Sequence, residues 1–400
     1  MESTFFSLGN RVKGSSFKSS SGLTGGPGVE EVYLTIDTDE KASFADELNS
    51  LYSTYLKTAK QYSLSEDTLV FSRFYIADIA NQKTVLRESE IFGILKNSAV
   101  SIIQQCPAFG GDVSLLVYHI KHDGHAFRKE VFNCDTENRR NGAIIHGNNY
   151  DLLWTANFYG IGPFDPYKQT TEIFKSFNTI LVMKGMTLLD SAIRTWVYVR
   201  DIDNHYKGMV QARKDFFEEH GLTPDTRYIA STGIEGFSRE VHSLVAFDAY
   251  AVKNLTDGQI VRMEALDNLP PTIRYGVTFE RGTRVRFGDR SHLHISGTAS
   301  IDKNGEVMHL SNVKKQTERS IENVEALLSP HGAALQNLAY LIVYVRNIKD
   351  RTKVIDVLKD KMPSDIPILL LEGAVCRPAW LVELEGIAII DDSNDFPPFF

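Results

Sequence analysis

Cysteine is scarce in this chain: Cys106, Cys134 and Cys376 are the only three in 400 residues, and they lie far apart. So few scattered thiols exclude a disulfide framework and a zinc-type cysteine cluster, and they fit a reducing cytoplasm. Long apolar runs are missing as well. None approaches the ~18 residues that a membrane helix needs, so no membrane partner is expected. Met1 to Gly28 lacks the apolar centre of a signal peptide. Positive charge is also short, with 43 Lys and Arg against 51 Asp and Glu and a formal net charge of −8. Neutralising phosphates takes a basic face, so this balance argues against a nucleic-acid partner. No P-loop and no dinucleotide glycine fingerprint occur, and no cofactor is expected.

What the chain does have is repetition. Phe74-Tyr75-Ile76-Ala77-Asp78-Ile79, Val197-Tyr198-Val199-Arg200-Asp201-Ile202 and Val343-Tyr344-Val345-Arg346-Asn347-Ile348 spell nearly the same strand and turn. A repeat of more than a hundred residues means one fold copied three times, and it directs the search for chemistry to the interfaces between copies. Gln169-Thr170 and Gln316-Thr317 each open a helix-like stretch. Apolar residues follow at the same offsets, as Phe174, Phe177, Ile180, Leu181 and Ile321, Val324, Leu327, Leu328. That spacing lays one helix face on a sheet. Gly185 and Gly332 then occupy matching positions where a helix end calls for positive φ. Leu48, Leu51, Tyr55 and Leu56 give a similar face in the first copy, the most degenerate of the three.

The expected organisation is a Ser/Gly-rich disordered tail (1–30), a first unit (31–125), a second unit (126–254) with an irregular entry at Asn133–Asn149, a linker (255–274), a third unit (275–390) and a tail (391–400). In the first unit the pattern predicts strand Val32–Ile36, a helix over Phe44–Lys60, strand Leu69–Ile76, a helix near Val85–Leu95, and paired strands Ala99–Gln104 and Val113–Ile120. The third unit should hold strand Leu293–Ser296 and a hairpin turn at Asp302-Lys303-Asn304-Gly305. Each copy therefore reads β(β)αβαββ with helices on one sheet face, an α+β class. Three copies can cover one another's open faces around a pseudo-threefold axis. A monomer then suffices, and higher oligomers stay open.

The third copy carries Ser296-Gly297-Thr298-Ala299-Ser300-Ile301, Gln316-Thr317, Tyr344-Val345-Arg346-Asn347 and Val382-Glu383-Leu384-Glu385-Gly386-Ile387-Ala388. Together these resemble the RidA/YjgF superfamily, whose members have carried labels such as endoribonuclease L-PSP and translation inhibitor. The resemblance implies three RidA-like (chorismate-mutase-like) units forming a pseudo-trimer, with sites at the interfaces. Phe279-Glu280-Arg281-Gly282, Arg194-Thr195-Trp196, Ala230-Ser231-Thr232-Gly233-Ile234 and Cys376-Arg377-Pro378 look most like the chorismatase branch. Two positions depart from that branch, Val197 after the Trp and Ala379 after Arg-Pro, and either allows a changed substrate. Deaminating RidA proteins place an Arg in the strand before the last hairpin, whereas Ile368-Leu369-Leu370-Leu371-Glu372 offers none.

Glu383 is the leading catalytic candidate. It alternates with Glu385 on one strand face, and the matching positions are Ala246 in copy two and Leu116 or Val117 in copy one. A carboxyl in a partly dry cleft has a raised pKa and can act as a general acid; the plainer alternative is a strand-edge acid paired with an arginine. Arg377 and Arg194 are candidates for binding a carboxylate, or for an ordinary salt bridge and a solvated strand end. Ser231, Thr232, Gly233, Gly297 and Thr298 supply hydroxyls and backbone N–H groups, or simply turns. Cys376 is expected to pack beside the substrate. Arg274, Arg281, Arg284, Arg286 and Arg290 form a basic run that is either a funnel for an anion or a solvated hairpin face. His119, His122 and His125 sit three apart, but on a strand and turn, so a metal site there is not expected.

The expectation is a hydrolase or lyase acting on chorismate or a related enolpyruvyl ether. As the resemblance implies, Glu383 would protonate the ether and Arg377, with Arg194 or Arg281, would hold a small anionic carboxylate substrate. Imine deamination of the RidA type and a non-catalytic ligand-sensing scaffold are the alternatives. A cleft holding Glu383 and two arginines favours an enzyme. A cleft plugged by Trp196, Trp380 or the 391–400 tail favours a silent scaffold.

Overall fold

The computed structural model describes residues 4–7, 12–19, 28–122, 127–133, 141–238 and 242–400. His125, Cys134 and parts of the expected N-terminal tail lie outside them. The first copy comprises β1 (Thr4–Ser7), β2 (Val12–Lys18), β3 (Val29–Asp37), α1 (Phe44–Gln61), β4 (Leu69–Ile76), α2 (Ile79–Glu88), α3 (Glu90–Leu95), β5 (Ala99–Gln104) and β6 (Val113–His122). The second comprises β7 (Arg128–Asn133), β8 (Asn141–His146), β9 (Asp151–Tyr159), α4 (Pro166–Met183), α5 (Leu188–Ser191), β10 (Ala192–Val199), α6 (Ile202–Glu219), β11 (Ala230–Glu235) and β12 (Val245–Val252). The third comprises β13 (Ile260–Met263), β14 (Gly282–Arg286), β15 (Arg290–Ala299), α7 (Val313–Leu328), β16 (Leu338–Val345), α8 (Arg351–Lys361), β17 (Ile368–Glu372) and β18 (Val382–Asp391).

The three sheets share one topology, β1-β2-β3-β6-β4-β5, β7-β8-β9-β12-β10-β11 and β13-β14-β15-β18-β16-β17. In each, a helical crossover makes the last two strands in that order parallel, as a parallel pair requires. Helices cover the outer sheet face. Ile321, Val324, Leu327 and Leu328 of α7 are all buried, and so are Phe174, Phe177 and Leu181 of α4, while Ile180 is half-buried. Each such side chain contributes roughly 1.5–3 kcal/mol. Gly185 (φ 69°) and Gly332 (φ 73°) both take the left-handed conformation at the end of a helical stretch.

Several expectations need correction. The first 30 residues are not all tail: β2 pairs along β3 from Val12↔Ile36 to Lys18↔Glu30, and Val12 and Phe17 are buried. Its small residues permit close packing on a neighbouring copy, where Ser15 Oγ donates to the Ala339 carbonyl at 2.6 Å. The 255–274 linker contains β13, an edge strand paired with β14, too short to show alternation. The supposedly irregular entry of copy two contains β8, paired with both β7 and β9. β5 and β6 are not paired with each other; β6 lies between β3 and β4. The 391–400 tail packs down, with Phe399 fully buried against Phe287 and His292. No helix among the described residues is long and apolar enough to cross a membrane.

The copies join head to tail in a closed ring. Strands β4 and β5 meet β8 and β9, β10 and β11 meet β14 and β15, and β16 and β17 meet β2 and β3. Bridges Gln104↔Phe237, Ile234↔Val375 and Pro107↔Leu371 close one end. The inner sheet faces form an aromatic centre, in which the repeated Tyr75, Tyr198 and Tyr344 are fully buried. Each seam also buries an arginine–carboxylate pair: Arg73–Asp248 at 2.9 Å, Arg194–Glu385 at 2.5 Å and Arg290–Glu31 at 2.7 Å.

Breaking such a pair leaves a lone buried charge, which costs about 3–5 kcal/mol, whereas replacing both partners by packed apolar residues is often neutral. Asp248→Ala is therefore expected to lower the urea-unfolding free energy by about that amount. An Arg73→Met/Asp248→Leu double substitution should recover most of the loss.

Candidate active site

The seam between copies two and three holds a cleft of about 540 Å³ including its mouth. Copy two contributes Tyr206 and Arg213 from α6, and Ser231 and Gly233 from β11. Copy three contributes Gly297 and Ala299 from β15, Glu383 from β18, Phe279 and Arg281 ahead of the β14 hairpin, and Cys376, Arg377 and Trp380 from the loop after β17.

Glu383 lies at the cleft wall and is 4% exposed. A register shift between Ile295 and Thr298 breaks the β15–β18 ladder beside it, as a bulge does next to a re-aimed side chain. Gly297 sits within that shift. A Cβ there would run into the Glu383 carboxyl group, so glycine leaves room for the acid in this rotamer. Burial raises the Glu383 pKa to about 8; the neighbouring Glu385 carboxylate adds to the rise, and Arg194 and Arg281 offset part of it. No ion pair to Glu383 forms among the described residues, and the alternative of a strand-edge acid paired with an arginine does not hold.

Glu385 has the opposite surroundings. Arg194 Nη2 donates to it at 2.5 Å, Trp196 Nε1 at 3.1 Å and Tyr344 OH at 2.8 Å. Arg194 is thus not on the cleft wall; it is buried behind it, where Nη2 also donates to Thr232 Oγ1 at 2.5 Å. Thr232 and Thr298 are likewise not part of the cleft lining. Thr298 Oγ1 donates to the Ser296 carbonyl at 2.9 Å. Ser296 Oγ accepts from Ser231 N at 2.9 Å and donates to the Glu280 carbonyl at 2.5 Å, tying the two copies together.

Three arginines line the same cleft. Arg213 is buried, its Nη1 reaching Ser231 Oγ at 3.4 Å, while Nε and Nη2 find no close hydrogen-bond partner among the described residues. Burial lowers its pKa, offset in part by Tyr206 and Cys376. Arg281 donates from Nε and Nη2 to the Pro270 carbonyl at 3.2 Å. Phe279 takes both guanidiniums on its ring, each 5.6 Å from the centroid. Arg377 stands exposed at the rim, 5.4 Å from the Trp380 ring centroid. Burial, reinforced by Glu383, pushes the Cys376 thiol up to about 12, so it is no thiolate nucleophile.

Of the predicted residues, the structure brings together Glu383, Arg377, Cys376, Ser231, Gly233, Arg281 and Gly297. The basic-run funnel does not form. Arg284 and Arg286 pair with Asp392 at 2.7 and 3.8 Å, Arg290 pairs with Glu31, and only Arg281 reaches the cleft. His119 is buried between Tyr55 OH at 3.3 Å and Thr68 Oγ1 at 2.9 Å. Strand register places Ser114 opposite Tyr75, as Ala246 is opposite Tyr198 and Glu383 opposite Tyr344. The first-copy counterpart of Glu383 is therefore Ser114 rather than Leu116 or Val117. Sequence reading missed Tyr206 and Arg213. A signal was present for the second, since Arg213 falls on the buried stripe of Met209, Ala212 and Phe216.

Residues 285–390 match the Endoribonuclease L-PSP family. A 3-hydroxybenzoate synthase of Streptomyces hygroscopicus is 28% identical over 285 residues, covering 65% of this chain and 80% of that protein. A chorismatase of Streptomyces rapamycinicus is 26% identical over 219 residues, covering 49% of this chain and 64% of that one. The crystal structure of a chorismatase superposes with a TM-score of 0.61 at 19% identity, covering 80% of this chain and 93% of its own, and shares the fold. The third copy thus matches the family model, and the chain is similar over much of its length to chorismatase-type proteins, which supports the expected resemblance to the RidA superfamily and its chorismatase branch.

Two outcomes follow from the geometry. Gly297→Ala is expected to displace the Glu383 carboxyl and to cost about 1–3 kcal/mol of stability through overpacking, read by urea unfolding. The second concerns pH. Between the ordinary carboxyl value of 4.5 and about 8, folded Glu383 keeps a proton that the unfolded chain has released. The stability owed to this group therefore falls as pH rises through that window. Glu383→Gln should flatten this slope and be no less stable than the parent at about pH 8.

Proposed function

We propose that this chain is a chorismatase-type enzyme that cleaves the enolpyruvyl ether of chorismate, or a close analogue, and releases pyruvate. The observation that carries the reading is a buried carboxyl, Glu383, in one cleft with Arg213, Arg281 and Arg377, its pKa raised by burial to about 8. Chorismate carries two carboxylates, and guanidinium groups suit each of them. The apolar faces of Phe279 and Trp380 suit the ring.

The steps balance without a further reactant beyond water. Glu383 gives its proton to the terminal methylene carbon of the enol ether, leaving an oxocarbenium-like carbon. Water adds there and returns a proton to Glu383. The hemiketal then collapses: its hydroxyl proton passes to the ether oxygen, the bond between that oxygen and the former enol carbon breaks, and pyruvate and a dihydroxycyclohexadiene carboxylate leave. General acid catalysis of this kind contributes typically ~10²–10⁴-fold. Glu385 and Arg194 act as positioning residues: their pairing keeps a negative charge beside Glu383 and commits Arg194 to Glu385.

The silent-scaffold alternative loses support from the cleft's contents. Trp196 lies at Glu385, the C-terminal tail packs against the β14–β15 hairpin, and Trp380 forms a wall rather than a plug. Imine deamination is disfavoured because Leu369, Leu370 and Leu371 are fully buried and offer no clamp.

Incubation with chorismate, followed by lactate dehydrogenase detection of pyruvate, tests the proposal; no pyruvate would sink it. Glu383→Gln is expected to lower kcat by at least about 100-fold with the fold retained. In D2O the pyruvate methyl should carry one solvent deuterium. Activity should fall as pH rises through about 8, where Glu383 loses its proton. Glu385→Gln, which removes a like charge and releases Arg194, should move that fall to lower pH.

A further inference from the structure

The ring repeats its seams, so the elements that build the Glu383 cleft recur where copy three closes on copy one. There β17 and α8 take the places of β11 and α6. β3 and β6 take those of β15 and β18, and the loop after β5 takes that of the loop after β17. A second cleft lies at that position, about 1460 Å³ including its mouth and wider than the first. Its acid has crossed to the other strand of the pair. Asp37 stands opposite Ser114 in β3–β6, where β15–β18 has Ala299 opposite Glu383. Ser114 Oγ donates to Asp37 Oδ1 at 2.5 Å. Lys13 reaches across the seam, its Nζ donating to the Ser364 carbonyl at 2.9 Å, and Lys359 lies exposed on the facing helix α8. Phe109, 38% exposed, forms an apolar wall with Leu358 and Met362.

We propose that this third-seam cleft is a second ligand site, which takes a small ring-bearing monocarboxylate with a ring hydroxyl. Lys13 and Lys359 meet the carboxylate, Asp37 accepts from the hydroxyl, and the ring lies on Phe109, Leu358 and Met362. Asp37 is already hydrogen-bonded by Ser114 and lies across the strand pair from the position of the catalytic acid, so the site binds rather than turns over. Molecules of this class share the ring and carboxylate chemistry proposed for the first cleft, which makes the second a place for a product or analogue to act back on the enzyme.

Calorimetric titration of the full chain with 3-hydroxybenzoate tests this without relying on turnover, so it stands or falls separately from the activity proposed for Glu383. In an Arg213→Met/Arg377→Met protein, which lacks the first cleft's clamps, saturable binding should persist. In Lys13→Glu/Lys359→Glu that binding should weaken by about 10-fold or more, as loss of charged hydrogen bonds implies. The rate of pyruvate release from chorismate at low ligand should be unchanged in this second protein. 3-Hydroxybenzyl alcohol, which lacks the carboxylate, should bind the parent about 10-fold more weakly. Binding that is absent, that ignores the lysine changes, or that disappears with the arginine changes alone overturns the proposal. Should the double reversal fail to fold, Lys13→Gln/Lys359→Gln carries the same comparison.

Discussion

The hydrogen-bonded ion pair between Arg194 and Glu385 is the constraint on which the site depends. It lies in the dry aromatic centre, and it joins copy two to copy three. Arg194, Trp196 and Tyr344 all donate to this one carboxylate. Their commitment leaves the second acid of the same strand face, Glu383, buried in the cleft wall with a like charge for a neighbour and no ion pair among the described residues. A carboxyl so placed holds its proton to about pH 8. One strand thus presents two acids in opposite surroundings, one held as a carboxylate by its donors and the other pushed by burial toward its protonated form. Environment alone separates them.

The other seams show how the same arrangement can be lost. Asp248 keeps the position of Glu385 and pairs with Arg73, but Ala246 has replaced the second acid, and the nearby cleft shrinks to about 280 Å³. At the third seam Leu116 takes the Glu385 position by register. The buried pair is rebuilt from Glu31 and Arg290, with His292 Nε2 also 2.9 Å from Glu31. Burial works against the charge of Glu31, and His292 and Arg290 outweigh it, holding the group down to about 2. Each seam therefore has its own charged partners. A copy docked against the wrong neighbour would strand a buried charge, a cost of several kcal/mol, so the pairs discriminate between arrangements that the similar sheets would otherwise allow.

Legibility in the sequence followed the strength of local patterns. The α7 stripe, the strand Leu69–Ile76 and the positive-φ glycines Gly185 and Gly332 could be read because helix period, a short apolar-aromatic run and chain reversal are local signals. Strands β2 and β13 could not, because a Ser-rich strand shows little apolar alternation and a four-residue strand is too short to show any. Glu383 and Gly297 stood out by their motif. Arg213 did not, although an arginine on a buried helical stripe is a usable warning. The Arg281–Arg290 run misled because equal charges in sequence found different acids in space, Asp392 for one pair and Glu31 for another.

By itself the amino-acid order determined three tandem α+β units, their shared strand and helix pattern, and the presence of a single acid at the 383 position among three copies. Those follow from short-range periodicity and from comparing the copies with one another. Only the closed ring decided that Arg194 turns inward to Glu385, that Arg213 rather than Arg194 reaches the cleft, and that the three seams differ in width. Partner choice for a buried charge depends on which side chains are left within a few ångströms once water has been expelled, and no interval along the chain encodes that distance.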